Sequence, residues 1–260
     1  MIDLFKSRRR ARLRSTPAPA QWERIIERNV AIYRRLSDED RRELLGHTQV
    51  LLAEKHFEGC GGLELTDEIR VTVAAQASVL LLHRDTDYYP RLTSILIYPS
   101  AYVVNTEEHV GGGIWEEGED VLRGHTAARL GALVVAWDDT VRGARSVDDA
   151  DNVVFHEFAH QLDFEDRVVD GVPPMEHRQY VRWARVLGGE FEALHRATSD
   201  GDRTLIDQYG ATNPAEFFAV LTELFFERPG ALLERHPALY DELRAFYRQD
   251  PATWPGNASD

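Results

Sequence analysis

The 260-residue chain carries 44 acidic against 30 basic side chains, a net charge of −14, and 43% hydrophobic residues, so it is long enough to bury a sizeable core without staples. An acidic body of this kind excludes direct binding of nucleic acid as the main role, because phosphate contacts require clustered Lys and Arg. The single cysteine, Cys60, has no partner for an intrachain disulfide, which fits a reducing compartment.

The first fourteen residues hold Lys6, Arg8, Arg9, Arg10, Arg12 and Arg14 against Asp3 alone. No apolar segment follows that would make a secretory signal, and residues 1–20 are expected to be a disordered basic arm. The longest apolar stretches, residues 71–82 and 130–137, fall far short of the roughly 20 residues that a membrane-spanning helix requires. A cytoplasmic protein without a membrane partner is expected.

After the Ser15-Thr16-Pro17-Ala18-Pro19 linker, Trp22, Ile25, Ile26, Val30, Ile32 and Tyr33 recur near helical spacing. Ser37 followed by Asp38-Glu39-Asp40 reads as an N-cap with acids in the first turn, opening a helix to about Lys55. The glycines around Cys60 force a turn, and Thr66 caps a further helix to about His83. Residues 93–98 and 102–104 are strand-like, and residues 131–137 form the strongest strand signal. Between them, Gly111-Gly112-Gly113 with Glu116, Glu117, Glu119 and Asp120 reads as a mobile loop and a candidate lid. Ser146 and the acids up to Asp151 are expected to open the next helix, and residues 175–197, 214–227 and 237–248 follow as helices. The pattern predicts an α+β fold in one domain over residues 21–251. A small mixed sheet occupies the part before about residue 145, a mainly helical half follows, and residues 252–260 form a flexible tail.

His156-Glu157-Phe158-Ala159-His160 carries the chemistry. Two imidazoles at i and i+4 leave one face of a helix and converge on a metal, while the adjacent carboxylate sits where it takes a proton from water. A hydrolytic zinc takes three protein ligands, and two carboxylates on the helix at 214–227 compete for the third place. Glu216 and Glu223 lie seven apart, on nearly the same face. Asn213-Pro214-Ala215-Glu216 also reads as a capping box, yet the apolar run that follows predicts a buried carboxylate in need of a partner. Asp163, three residues beyond His160, is a candidate to hold a ligand histidine by its second nitrogen. Tyr209 is a candidate donor to an oxyanion. The other histidines form no convincing ligand-spaced pair. The strand at 133–136 is a candidate sheet edge for adding an extended peptide.

The segments Ile95-Leu96-Ile97-Tyr98-Pro99, 131–137, 156–163, 209–226 and 246–251 resemble successive blocks of the Mlc titration factor A family. These are bacterial zinc-dependent peptidases also described as anti-repressors of glucose-uptake regulation. The resemblance covers roughly residues 20–251. Residues 209–219 are also similar to the corresponding stretch of the anthrax lethal factor protease domain. Position by position, the resemblance implies one zinc ion per chain held by His156, His160 and Glu216, with Glu157 as general base and Tyr209 on the oxyanion side. It therefore prefers Glu216 to Glu223. It further implies a zincin-like core, a cytoplasmic location, aminopeptidase-type activity on a peptide or protein substrate, and a transcriptional repressor as a binding partner.

Overall fold

The arginine-rich start of the chain is helix α1 (Ile2–Ser15), not a disordered arm. It docks largely through charge. Arg10, 9% exposed, pairs with Glu54 at 2.7 Å and with Asp87, and its guanidinium lies 4.6 Å from the centroid of the Tyr88 ring. A guanidinium that stacks and forks at once supplies packing as well as electrostatics, a contact to which hydrophobic periodicity is blind. The computed structural model describes residues 2–100, 103–110, 114–121 and 131–255.

Helix α2 (Ala20–Asn29) and a 3-10 turn (Ala31–Arg35) lead to α3 (Asp38–Glu54). Ser37 caps α3 by accepting the Asp40 N–H, and Thr66 caps α4 (Asp67–Val79) by accepting the Ile69 N–H. Helix α4 ends earlier than expected, and residues 80–83 form turns. Strand β1 (His56–Gly59) lies between α3 and α4, and β2 (Ser94–Tyr98) follows α4. Strands β3 (Val103–Val110) and β4 (Ile114–Val121) pair antiparallel, from Val103 opposite Val121 to Val110 opposite Ile114. The acids expected in a mobile loop thus fall in β4, while Gly111, Gly112 and Gly113 lie outside the described residues.

Strand β5 (Ala132–Ala136) pairs parallel with β2, which pairs parallel with β1, in the order β1-β2-β5. The expected mixed sheet is therefore a parallel one, since β1 and β2 are joined through α4 and the crossover aligns them. Antiparallel pairing is confined to β3 and β4 among the described residues. Ile95, Ile97, Leu133 and Val135 turn one face of the sheet into the core. Among the described residues, β5 is bonded on one side only.

Helix α5 (Trp137–Arg145) follows β5 without a loop, and α6 (Val153–Asp163) starts at an Asn152 cap rather than at Ser146. Then come α7 (His177–Asp200), a 3-10 turn (Gln208–Ala211), α8 (Pro214–Glu227), α9 (Pro229–Arg235) and α10 (Pro237–Tyr247). Helix α8 is buried along almost its whole length. Its Phe218 meets the rings of Trp183 and Phe246, and its Phe225 and Phe226 meet Tyr247. The expected flexible tail is packed at its start: Trp254, after a 3-10 turn at Pro251–Thr253, stands 6.2 Å from the Phe226 ring. No described helix is long and apolar enough to cross a membrane.

Candidate metal centre

Helices α6 and α8 pack against each other, and that crossing assembles the site. Asn152 accepts the Phe155 N–H to start α6, and Asn213 accepts the Glu216 N–H to start α8. Between these caps the His156 and His160 rings lie 4.9 Å apart. His156 Nε2 is 2.9 Å from Glu216 Oε2, His160 Nε2 is 3.4 Å from the same oxygen, and the two Nε2 atoms are 3.3 Å apart. The Glu216 carboxylate therefore turns to the imidazoles.

Donor atoms around a tetrahedral zinc, with bonds of about 2.0–2.1 Å, stand roughly 3.3 Å from one another. The three separations, 2.9, 3.3 and 3.4 Å, come close to that triangle. Two imidazole nitrogens and a carboxylate oxygen are also the donor types that a hydrolytic zinc takes. The residues present fit a divalent metal of zinc type, and His156, His160 and Glu216 are the ones that would hold it.

Glu223, the rejected candidate for the third ligand, takes a different position in the same site. Its Oε1 lies 2.8 Å from His156 Nδ1, its Oε2 accepts the Asn152 N–H at 2.6 Å, and it is 6% exposed. A carboxylate at Nδ1 keeps a proton on that nitrogen, so a metal joining the site would displace only the proton that His156 Nε2 shares with Glu216. Burial pulls the His156 imidazole down, but Glu216 and Glu223 outweigh it and push it up to about 10. Burial likewise pushes Glu216 up, but His156 and His160 hold it well below the carboxylate range. Behind Glu223, Asn152 Nδ2 donates to Glu227 Oε1 at 2.9 Å, and burial pushes the Glu227 carboxyl well up.

Asp163 makes no hydrogen bond to a ligand histidine among the described residues, although its charge acts on His160. Its Oδ2 accepts the Gly171 N–H at 2.9 Å, while its Oδ1 and His160 Nδ1 are both buried without a hydrogen-bond partner. Its burial pushes the carboxyl up to about 6. Asp163 thus anchors the segment after α6, and Trp183 Nε1 donates to the carbonyl of the same Gly171. Glu157, beside His156, is 2% exposed. Tyr209, on the turn before α8, is 54% exposed with its ring 6.0 Å from that of His156. His156, Glu157, His160, Glu216 and Tyr209 thus lie together, and Asp163 stands behind them with one oxygen on Gly171 and its charge acting on His160. A second cluster, Asp40, Glu43 and His83, was not legible from spacing; His83 Nε2 lies 3.0 Å from Asp40, and Glu43 also meets buried His47.

A model of the family described as glucose-regulated metallo-peptidase M90 matches residues 4–248. The match begins within α1, so the family resemblance reaches further toward the start than residue 20. An uncharacterised protein of Synechocystis is 40% identical over 244 residues, covering 94% of this chain and 89% of that protein. Proteins named Mlc titration factor A are similar too. The one from Edwardsiella ictaluri is 31% identical over 219 residues, 83% of each chain. The one from Yersinia pestis is 30% identical over 248 residues, 93% of this chain and 90% of that protein. The resemblance drawn from the sequence blocks is borne out, and the chain belongs to the glucose-regulated metallo-peptidase M90 family.

Proposed function

We propose that the protein is a zinc-dependent peptidase of aminopeptidase type working in the cytoplasm. The observation that carries this is the convergence of His156 Nε2, His160 Nε2 and Glu216 Oε2 within 3.4 Å of one another. A zinc ion held there by His156, His160 and Glu216 would supply Lewis acidity and a water whose pKa is lowered to about 7. Glu157 takes the proton from the attacking water and returns it to the leaving amine. Tyr209 donates a hydrogen bond to the oxyanion of the tetrahedral adduct. Glu223 keeps the His156 ring turned to the ligand triangle. Strand β5, with one edge unbonded among the described residues, suits an extended peptide that adds as a further strand.

Glu157→Gln tests the reading. The variant keeps zinc at one ion per chain while peptide turnover falls about 100-fold or more, the usual weight of a general base. Wild-type turnover in that variant overturns the assignment. A series of aminoacyl-anilides against their N-blocked counterparts tests the aminopeptidase preference.

The relatives named for titrating Mlc support a second reading, in which the protein sequesters a transcriptional repressor of sugar uptake and the zinc site is mainly structural. The two separate cleanly: a pure binding role predicts that Glu157→Gln still captures the repressor with parental affinity, while only an enzyme loses peptide turnover in that variant.

A further inference from the structure

Away from the histidines, a cavity of about 540 Å³ opens between the turn after α4, the entry to α7 and the end of α10. Its wall carries Arg84, Arg178, Arg182 and Arg248 among the acids Asp85, Glu176 and Glu242. Two of these arginines are matched: Arg178 donates to Glu176 at 2.8 Å, and Arg182 pairs with Glu242. Arg248 reaches Asp85 at 3.8 Å, a carboxylate fully in solvent, and donates a long hydrogen bond of 3.4 Å to the His83 carbonyl, so both partners hold it weakly.

Arg84 is in a different state. Its guanidinium stacks 4.1 Å from the centroid of the Phe246 ring and 5.8 Å from that of Tyr247. Its Nη1 is buried with no hydrogen-bond partner. Glu165 acts on it at longer range, and no carboxylate of the described residues pairs with it directly. Arg84 is partly exposed where it lines the cavity, but its buried Nη1 leaves an N–H unmet, which is costly, and stacking fixes the plane of its fork. Such a fork matches the paired oxygens of a carboxylate or phosphate. Pro174, Met175 and Phe246 on the same wall offer apolar surface to a carbon skeleton, and the volume lies within the range of small-molecule sites.

We propose that this cavity binds a small organic anion, a carboxylate or a phosphate monoester, gripped by Arg84 and met at the rim by Arg248. The site is separate from the metal centre and does not depend on the peptidase reading.

The test is a calorimetric titration of the full-length, zinc-loaded chain with inorganic phosphate and, separately, with succinate, at ionic strength held constant with chloride. Each titration is repeated with a hydroxamate saturating the metal, which removes any anion binding there. The expected result is saturable binding of at least one probe that survives the hydroxamate. It weakens 10-fold or more in Arg84→Gln and in Arg248→Gln, and stays within twofold in Arg178→Gln. Preference for phosphate or for succinate identifies the ligand's acid group. Arg248 is half exposed, so its variant carries the test even if Arg84→Gln does not fold. No saturable binding, binding abolished by the hydroxamate, or binding indifferent to both substitutions overturns the proposal.

Discussion

Glu223→Gln is the sharpest test of how α8 supports the metal helix. The native carboxylate accepts two N–H groups, His156 Nδ1–H at 2.8 Å and the Asn152 amide at 2.6 Å, in a position only 6% exposed. Glutamine has nearly the same shape but a single acceptor, so one of those two donors must face an NH2 group. The charge-assisted bond lost is worth about 1.5–3 kcal/mol. A carboxylate partner removed from a ligand histidine ordinarily lowers metal affinity about 10- to 100-fold, which is roughly 1.4–2.8 kcal/mol at 1.4 kcal/mol per decade. The two routes agree in size, so nearly the whole bond should appear as lost affinity. Competition for zinc against a chromogenic chelator measures it. Glu216→Gln, which removes a proposed ligand, serves as the control and should lose more. Zinc affinity within twofold of the parent, with parental turnover, would refute the role given to Glu223.

Chelation of zinc should lower the Tm and readdition restore it, as ligand-linked stability requires; an unchanged Tm counts against the ligand set. Gly171→Ala should destabilise by about 2–4 kcal/mol in denaturant unfolding, because Gly171 has φ +75° and a Cβ there meets the carbonyl oxygen of Pro214. Arg10→Ala should cost about 3 kcal/mol by leaving Glu54 half-buried and unmatched, and limited proteolysis should then cut within α1; parental resistance would contradict its docking. Burial pulls Lys55 from its ordinary 10.5 down to about 8, so between those values the unfolded chain holds a proton that the folded chain has released. Stability attributable to Lys55 therefore rises with pH across that window, by at most about 3 kcal/mol, and Lys55→Met should lack that rise.

What the sequence disclosed and what it concealed divide along physical lines. Caps act within one turn, so Ser37, Thr66 and Asn213 announced α3, α4 and α8 directly. The histidine pair is a local geometric fact of one helix and was equally plain. Strand β1, four residues long, is too short to show a period, and α5 begins at Trp137 with no loop to mark the change. At the start of α6 the acids after Ser146 mimicked a first turn, while the working cap was Asn152. The choice between Glu216 and Glu223 could not be made from spacing alone, since both share a face of α8. Which of them meets Nε2 and which meets Nδ1 is decided by the crossing of two helices, a tertiary matter. Asp163 had the right helical phase, and nothing in the sequence signalled that one of its oxygens would take the Gly171 N–H, eight residues on.

Asn152 makes demands on chemistry that a cap ordinarily does not. Its side-chain oxygen takes the Phe155 N–H, its nitrogen donates to Glu227, and its own amide is given to Glu223. Serine or threonine would keep the oxygen but lack the reach to both neighbours, and aspartate would set a third acid against two that are already buried. Of the four residues that commonly begin a helix, this junction admits the amide alone, so the alphabet at the threshold of α6 is narrowed by what lies beneath it.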